Sequence, residues 1–175
     1  MHIKGLEPGR DKLDGTGLSI LIIHTRWNLA IVQKLVDGAV AQLLSLGVSA
    51  DHIAIKDVPG SFELPLATKY LLKTLRNPNG GVYDACISIG VLIKGSTMHF
   101  EYICDATASG LMQVGLELSR PVIFGVLTCL TEEQALERAG AGSDPLTSHN
   151  HGTDWAMSAV EMARLCAHRL IVQST

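Results

Sequence analysis

Residues 83–119 read YDACISIGVLI KGSTMHFEYICDATASGLMQVGLELS, and this stretch decides the fold. Its first part, 83–93, is a nearly continuous apolar run of strand length, and the part from 97 to 119 has the longer period of a helix. A strand apolar on both faces that passes directly into a helix belongs to a parallel sheet covered on both sides. The joint between them, KGSTMH (94–99), ends a buried strand in a lysine, a glycine, two hydroxyls and a histidine. It is either an ordinary strand-to-helix turn or a cradle for an anion.

The pattern repeats on either side. LSILIIH (18–24) is a strand and 28–47 a helix stopped by Gly47; HIAIKDV (52–58) alternates as a strand, and FELPLATKYLLKTL is helical with Pro65 in its first turn. PVIFGVLT (121–128) is a fourth strand. Thr131 opens a short helix with Gln134 placed for a capping box, and Gly140 closes it. AGAGSDPLTSHNHG reads as a polar loop before a last helix from about Asp154 to Leu170. Residues 1–17, with four glycines and one proline, read as an N-terminal arm, and 18–175 as one domain.

The 175 residues carry 47% hydrophobic, 5% aromatic and 18% charged side chains, with a net charge of −3. No basic run offers a nucleic-acid surface, no apolar stretch has the length of a membrane span, and MHIKGLEPGRDK has no apolar signal core. Cys86, Cys104, Cys129 and Cys166 form no CxxC pair and sit in apolar segments, as core thiols of a reducing cytoplasm do.

Ligands of parallel sheets bind at the carboxyl ends of the strands. The segments there are HTRWN, VPGSFE, KGSTMH and TCLTEE. Gly95 lets main chain approach a ligand, Ser96 and Thr97 supply hydroxyls, and the helix start adds free N–H groups; the alternative is a Ser/Thr cap. His99 lies in the first turn, where the dipole disfavours an imidazolium, so its ring is suited to accept a proton; the alternative is an exposed capping residue. Trp27 offers a face for a planar heterocycle or is a core or interface aromatic, and Asn28 reads as an N-cap. Ser61, Phe62 and Glu63 stand at another helix start, as ligand groups or as caps. Arg138 either complements its helix dipole or grips phosphate. HNHG (149–152) supplies too few donors for a closed metal site.

Taken in order, HTRWN, VPGSFELP, IGVLIKGSTMHFEYI, PVIFGVLT, EEQALERAG and HNHG-DW-AVEMA resemble lumazine synthases, most of all fungal-type ones, from about residue 18 to 168. The resemblance implies a three-layer α/β/α, flavodoxin-like fold with a four-stranded, mostly parallel sheet, and an arm able to add a strand to a neighbour's sheet. It implies condensation of 5-amino-6-(D-ribitylamino)uracil with 3,4-dihydroxy-2-butanone 4-phosphate, without metal or organic cofactor. It assigns the pyrimidine and ribityl chain to Trp27, Ser61, Phe62, Glu63, main chain of Val91, Leu92 and Ile93, and Phe124 of a neighbouring subunit. The phosphate falls to Gly95, Ser96, Thr97 and Arg138. His151 stands where many relatives carry a lysine near the phosphate, with Asp154 at the acidic position beside it, and His99 is the proton-transfer residue. A homopentamer with sites at subunit interfaces follows, in a chain whose loop before Asn150, with Pro145, is longer than in capsid-forming relatives. Rival readings are a flavin- or lumazine-binding protein without turnover, an archaeal-type riboflavin synthase, and a flavodoxin-like electron carrier.

Overall fold

The structure, a computed structural model, describes residues 12–144 and 146–172. Residues 1–11 of the arm and Pro145 lie outside the described residues. Strands β1 (Ile20–Thr25), β2 (Ile53–Val58), β3 (Ala85–Ile93) and β4 (Val122–Cys129) form one parallel sheet in the order β2-β1-β3-β4. The helices are α1 (Leu29–Ser45), α2 (Leu64–Thr74), α3 (His99–Leu118), α4 (Glu132–Arg138) and α5 (His151–Val172). The chain winds outward from β1 to β2, then crosses back to β3, so the winding reverses between β1 and β3.

Both faces of the sheet are covered, which is what the unbroken apolar runs require. Ile20 and Ile22 of β1 and Ile87, Ile89 and Val91 of β3 pack with Leu35 and Ala39 of α1 and Ala156 and Val160 of α5. The alternate residues Leu21, Ile23 and Cys86 pack with Leu64 and Leu72 of α2 and Leu111 of α3 on the opposite face. Each fully buried Ile or Leu contributes roughly 1.5–3 kcal/mol. Helix α5 approaches α1 so closely that a Cβ on Gly152 would collide with the Leu35 carbonyl. Gly47 and Gly140 stop α1 and α4 at positive φ, 93° and 70°.

Three element ends differ from the sequence reading, each because a side chain has other work. Asn28 does not cap α1 with its side chain; it adopts φ 56°, ψ 37° and sends its amide to β3. The capping box at Thr131 is offset: Gln134 N–H donates to Thr131 Oγ1 at 3.3 Å, but the Gln134 side chain accepts from Leu130 N–H. Helix α5 starts at His151, ahead of Asp154, because Asn150 Oδ1 accepts the Gly152 N–H at 2.9 Å and the Asn150 carbonyl accepts the Thr153 N–H. The HNHG stretch is therefore a helix start rather than the end of a loop.

Candidate active site

The carboxyl ends of the strands bring four segments to one edge. After β1 the main chain stays with β2: Arg26 N–H donates to the Val58 carbonyl at 2.9 Å and Trp27 N–H to the Pro59 carbonyl at 3.3 Å. Arg26 also pairs with Asp57 across the two strands, which holds the Asp57 carboxyl below its ordinary range. This seats Trp27 against Gly60, where an added Cβ would stand 3.2 Å from the indole Cδ1. The indole is nonetheless 73% exposed, and Phe62 is 60% exposed. A cleft of about 360 Å³ opens beside Arg26, Trp27, Asn28 and Pro59.

Ser61 and Glu63 are partly committed to the fold. Ser61 is buried, with its Oγ where a Cβ on Gly90 would come within 2.7 Å, and its carbonyl accepts from Thr107 Oγ1 at 3.1 Å. One carboxylate oxygen of Glu63 accepts the Gly60 N–H at 2.9 Å.

Strand β3 outruns β1. Their ladder ends at His24 opposite Ile89, while the ladder with β4 continues to Ile93 opposite Cys129. Thr25, the last residue of β1, still flanks Gly90, and Val91–Ile93 lie past the end of β1, where the winding reverses. Val91 is buried and Leu92 and Ile93 are half-buried. Beyond them, no hydrogen bond within the described residues engages the N–H of Gly95, Ser96 or Thr97. A Cβ on Gly95 would meet nothing within 4 Å, so packing inside this chain does not require the glycine.

His99 opens α3, its N–H 3.4 Å from Thr97 Oγ1 and its side chain exposed. The preceding lysine takes no part in the open loop: Lys94 pairs with Glu101 in the first turn of α3, and that hydrogen bond holds the Glu101 carboxyl below its ordinary range.

After β4, Arg138 ends α4 with Nη1 donating to the Gln134 carbonyl at 3.2 Å and the side chain otherwise exposed. It lies near enough to Cys129 to oppose the burial that pushes that thiol up. The Ala139–Asn150 bridge and the bond from His149 N–H to the Glu137 carbonyl dock the end of α4 on the start of α5. There His149 Nε2 is 2.8 Å and His151 Nδ1 3.8 Å from one oxygen of the buried Asp154, and the two imidazoles meet edge to face at 5.4 Å. Among the described residues no group of three or more His, Cys, Asp or Glu is arranged to hold a metal.

Phe124 stands apart. It is 41% exposed on the edge strand β4, opposite Ser88, and the carboxyl end at Cys129 is roughly 16 Å farther on at about 3.3 Å per residue. Two of these contacts are not evident from the sequence: His149 reads there only as a metal donor and Asn28 only as a cap, although asparagine's tolerance of left-handed backbone is a signal that a turn after a strand can use.

Fold and site define a doubly wound parallel α/β protein with an aromatic-walled crevice at its switch point and an unengaged run of amides at a helix start. Residues 17–167 match the family described as 6,7-dimethyl-8-ribityllumazine synthase. The 6,7-dimethyl-8-ribityllumazine synthase of Schizosaccharomyces pombe is 52% identical over 161 residues, covering 91% of this chain and 94% of the relative. That of Pyricularia oryzae is 44% identical over 192 residues, covering 93% and 94%. The chain belongs to the 6,7-dimethyl-8-ribityllumazine synthase family.

Proposed function

We propose that the chain is a transferase of riboflavin biosynthesis that condenses 5-amino-6-(D-ribitylamino)uracil with 3,4-dihydroxy-2-butanone 4-phosphate to give 6,7-dimethyl-8-ribityllumazine, phosphate and water. Within that membership, the observation that carries the reading is the crevice between β1 and β3. Trp27 is exposed at one side, β3 main chain lacks a strand partner at the other, and the open Gly95–Thr97 loop leads to His99. The pyrimidine stacks on Trp27 and is read by Phe62, Glu63 and main chain of Ser61, Leu92 and Ile93. The phosphate lies on the amides of Gly95, Ser96 and Thr97 at the start of α3, where the helix dipole favours an anion, with Arg138 and His151 completing the grip.

The amine of the uracil attacks the ketone and expels water as an imine forms. Elimination of phosphate follows and leaves an enol that tautomerises to a carbonyl; the ribitylamino nitrogen attacks that carbonyl and closes the ring with loss of a second water. His99 moves protons at these steps. Holding the two reactants in register supplies much of the acceleration. Mixing the two substrates with the protein and following lumazine absorbance tests the reading; no product above the uncatalysed rate overturns it.

The distance between Phe124 and the carboxyl edge favours a site completed by a neighbouring subunit. Leu66 (76%), Tyr102 (71%), Met112 (66%) and Leu116 (72%) leave much apolar surface open on α2 and α3, as a subunit interface would. The assembly is a free homopentamer in the cytoplasm, and a sedimentation mass near sixty subunits would contradict it. Among the described residues no helix is long and apolar enough to cross a membrane.

A further inference from the structure

The turn after β1 is fastened on its two sides by different means. Toward β2 it uses main chain, through the Arg26 and Trp27 amides. Toward β3 it uses one side chain: Asn28 Nδ2 donates to the Val91 carbonyl at 2.8 Å, beyond the point where the β1–β3 ladder has ended. Asn28 reaches that carbonyl from a left-handed backbone, φ 56° and ψ 37°, a region that is costly for most side chains and tolerable for asparagine. Its own carbonyl accepts from Ile31 and Val32 N–H and so starts α1. One residue thus fixes the exit of Trp27, the start of α1 and the separation of β1 from β3.

We infer that Asn28 is a positioning residue that sets the spacing between the Trp27 ring and the main chain of Leu92 and Ile93, and through it the affinity for the heterocyclic substrate alone. The inference rests on the placement of the pyrimidine in this crevice. Asn28 takes one of the two lone pairs of the Val91 carbonyl, so the bond fixes this part of β3 at the point where the ring edge meets its main chain. The phosphorylated substrate, held at Gly95–Thr97, does not depend on the bond.

Asn28→Gly keeps the left-handed backbone free of strain and removes the amide; Asn28→Asp keeps the shape and sets a carboxylate against the Val91 carbonyl. Loss of one neutral hydrogen bond predicts a rise of roughly five- to tenfold in KM for the ribitylaminouracil in Asn28→Gly, with KM for the butanone phosphate within about twofold. Asn28→Asp should raise the first value further, and quenching of tryptophan emission by the ribitylaminouracil should weaken in parallel. If both KM values rise together, or the wild type turns over and Asn28→Gly matches it, this inference falls alone. If the wild type neither binds the uracil nor forms lumazine, the placement of the pyrimidine falls and takes the inference with it.

Discussion

The two edges of the sheet hold similar residue types and are finished in opposite ways. At the amino edge, Ser19 Oγ and His52 Nδ1 are 2.7 Å apart, Asn77 donates to the same hydroxyl at 3.0 Å, and Asp84 accepts the Ser19 N–H at 2.7 Å. Serine, histidine and aspartate there have the makings of a nucleophile and its base. Yet Ser19 is 1% exposed, and the aspartate holds the serine's amide rather than the imidazole. At the carboxyl edge, the Gly95–Thr97 amides, the His99 ring and the Trp27 face stand open. Polar groups satisfied within the chain stabilise it; those left open are available to a ligand. Satisfaction and exposure separate the two edges, and residue type does not.

The sharpest way to break this contrast is at His99. Its replacement by alanine should lower kcat about 10²–10⁴-fold, the usual range for a general acid or base, while leaving residual turnover from positioning. Complete loss in a correctly assembled protein would mean that His99 does more than move protons. Next comes Arg138→Ala, which should raise KM for the butanone phosphate by roughly 10- to 100-fold, the range for a hydrogen bond to a charged group, with KM for the uracil little changed. An unchanged KM for the phosphorylated substrate removes Arg138 from the phosphate grip.

The fold was legible because its strands are apolar on both faces and its helices amphipathic, and those patterns follow from burial rather than from the site. The order of segments along the carboxyl edge was legible for the same reason. What the sequence concealed were side chains with tertiary partners. Asn28 looks like a cap, and only the early end of the β1–β3 ladder gives its amide somewhere else to go. HNHG looks like a loop, and only the docking of α5 on α1 turns Asn150 into the cap of a helix. Ser61 reads as a ligand group or a cap at a helix start, yet Gly90 opposite it makes room for the hydroxyl to be buried.

The amino edge supplies the converse test. Ser19→Ala should leave kcat unchanged and cost about 1–3 kcal/mol of stability, because Asn77 and His52 each lose a partner in a half-buried setting. Urea unfolding and steady-state kinetics on the same preparation measure both. A fall in turnover with stability intact would turn the amino edge into a second working site.

The smallest effect probes how dry the covered sheet is. Cys86 sits between Leu21 and Val122 in register, fully buried, and burial pushes its thiol up to about 12, with weaker opposing hydrogen bonds from Ser88 and Thr68. A raised pKa in the folded state favours folding fully below the unfolded value of roughly 8.5 and progressively less as pH rises toward the folded value. Between those limits the unfolded chain gives up the proton and the folded one keeps it, so each pH unit costs at most about 1.4 kcal/mol. The wild type should therefore lose about 1 kcal/mol more than Cys86→Ala between pH 9 and 10, read from urea midpoints at a single protein concentration. The comparison of slopes cancels both the small cavity left by the missing sulfur and every other group that titrates in that window. Equal slopes would mean that water reaches β3 at its amino end, and the closed edge would then differ from the open one only in degree.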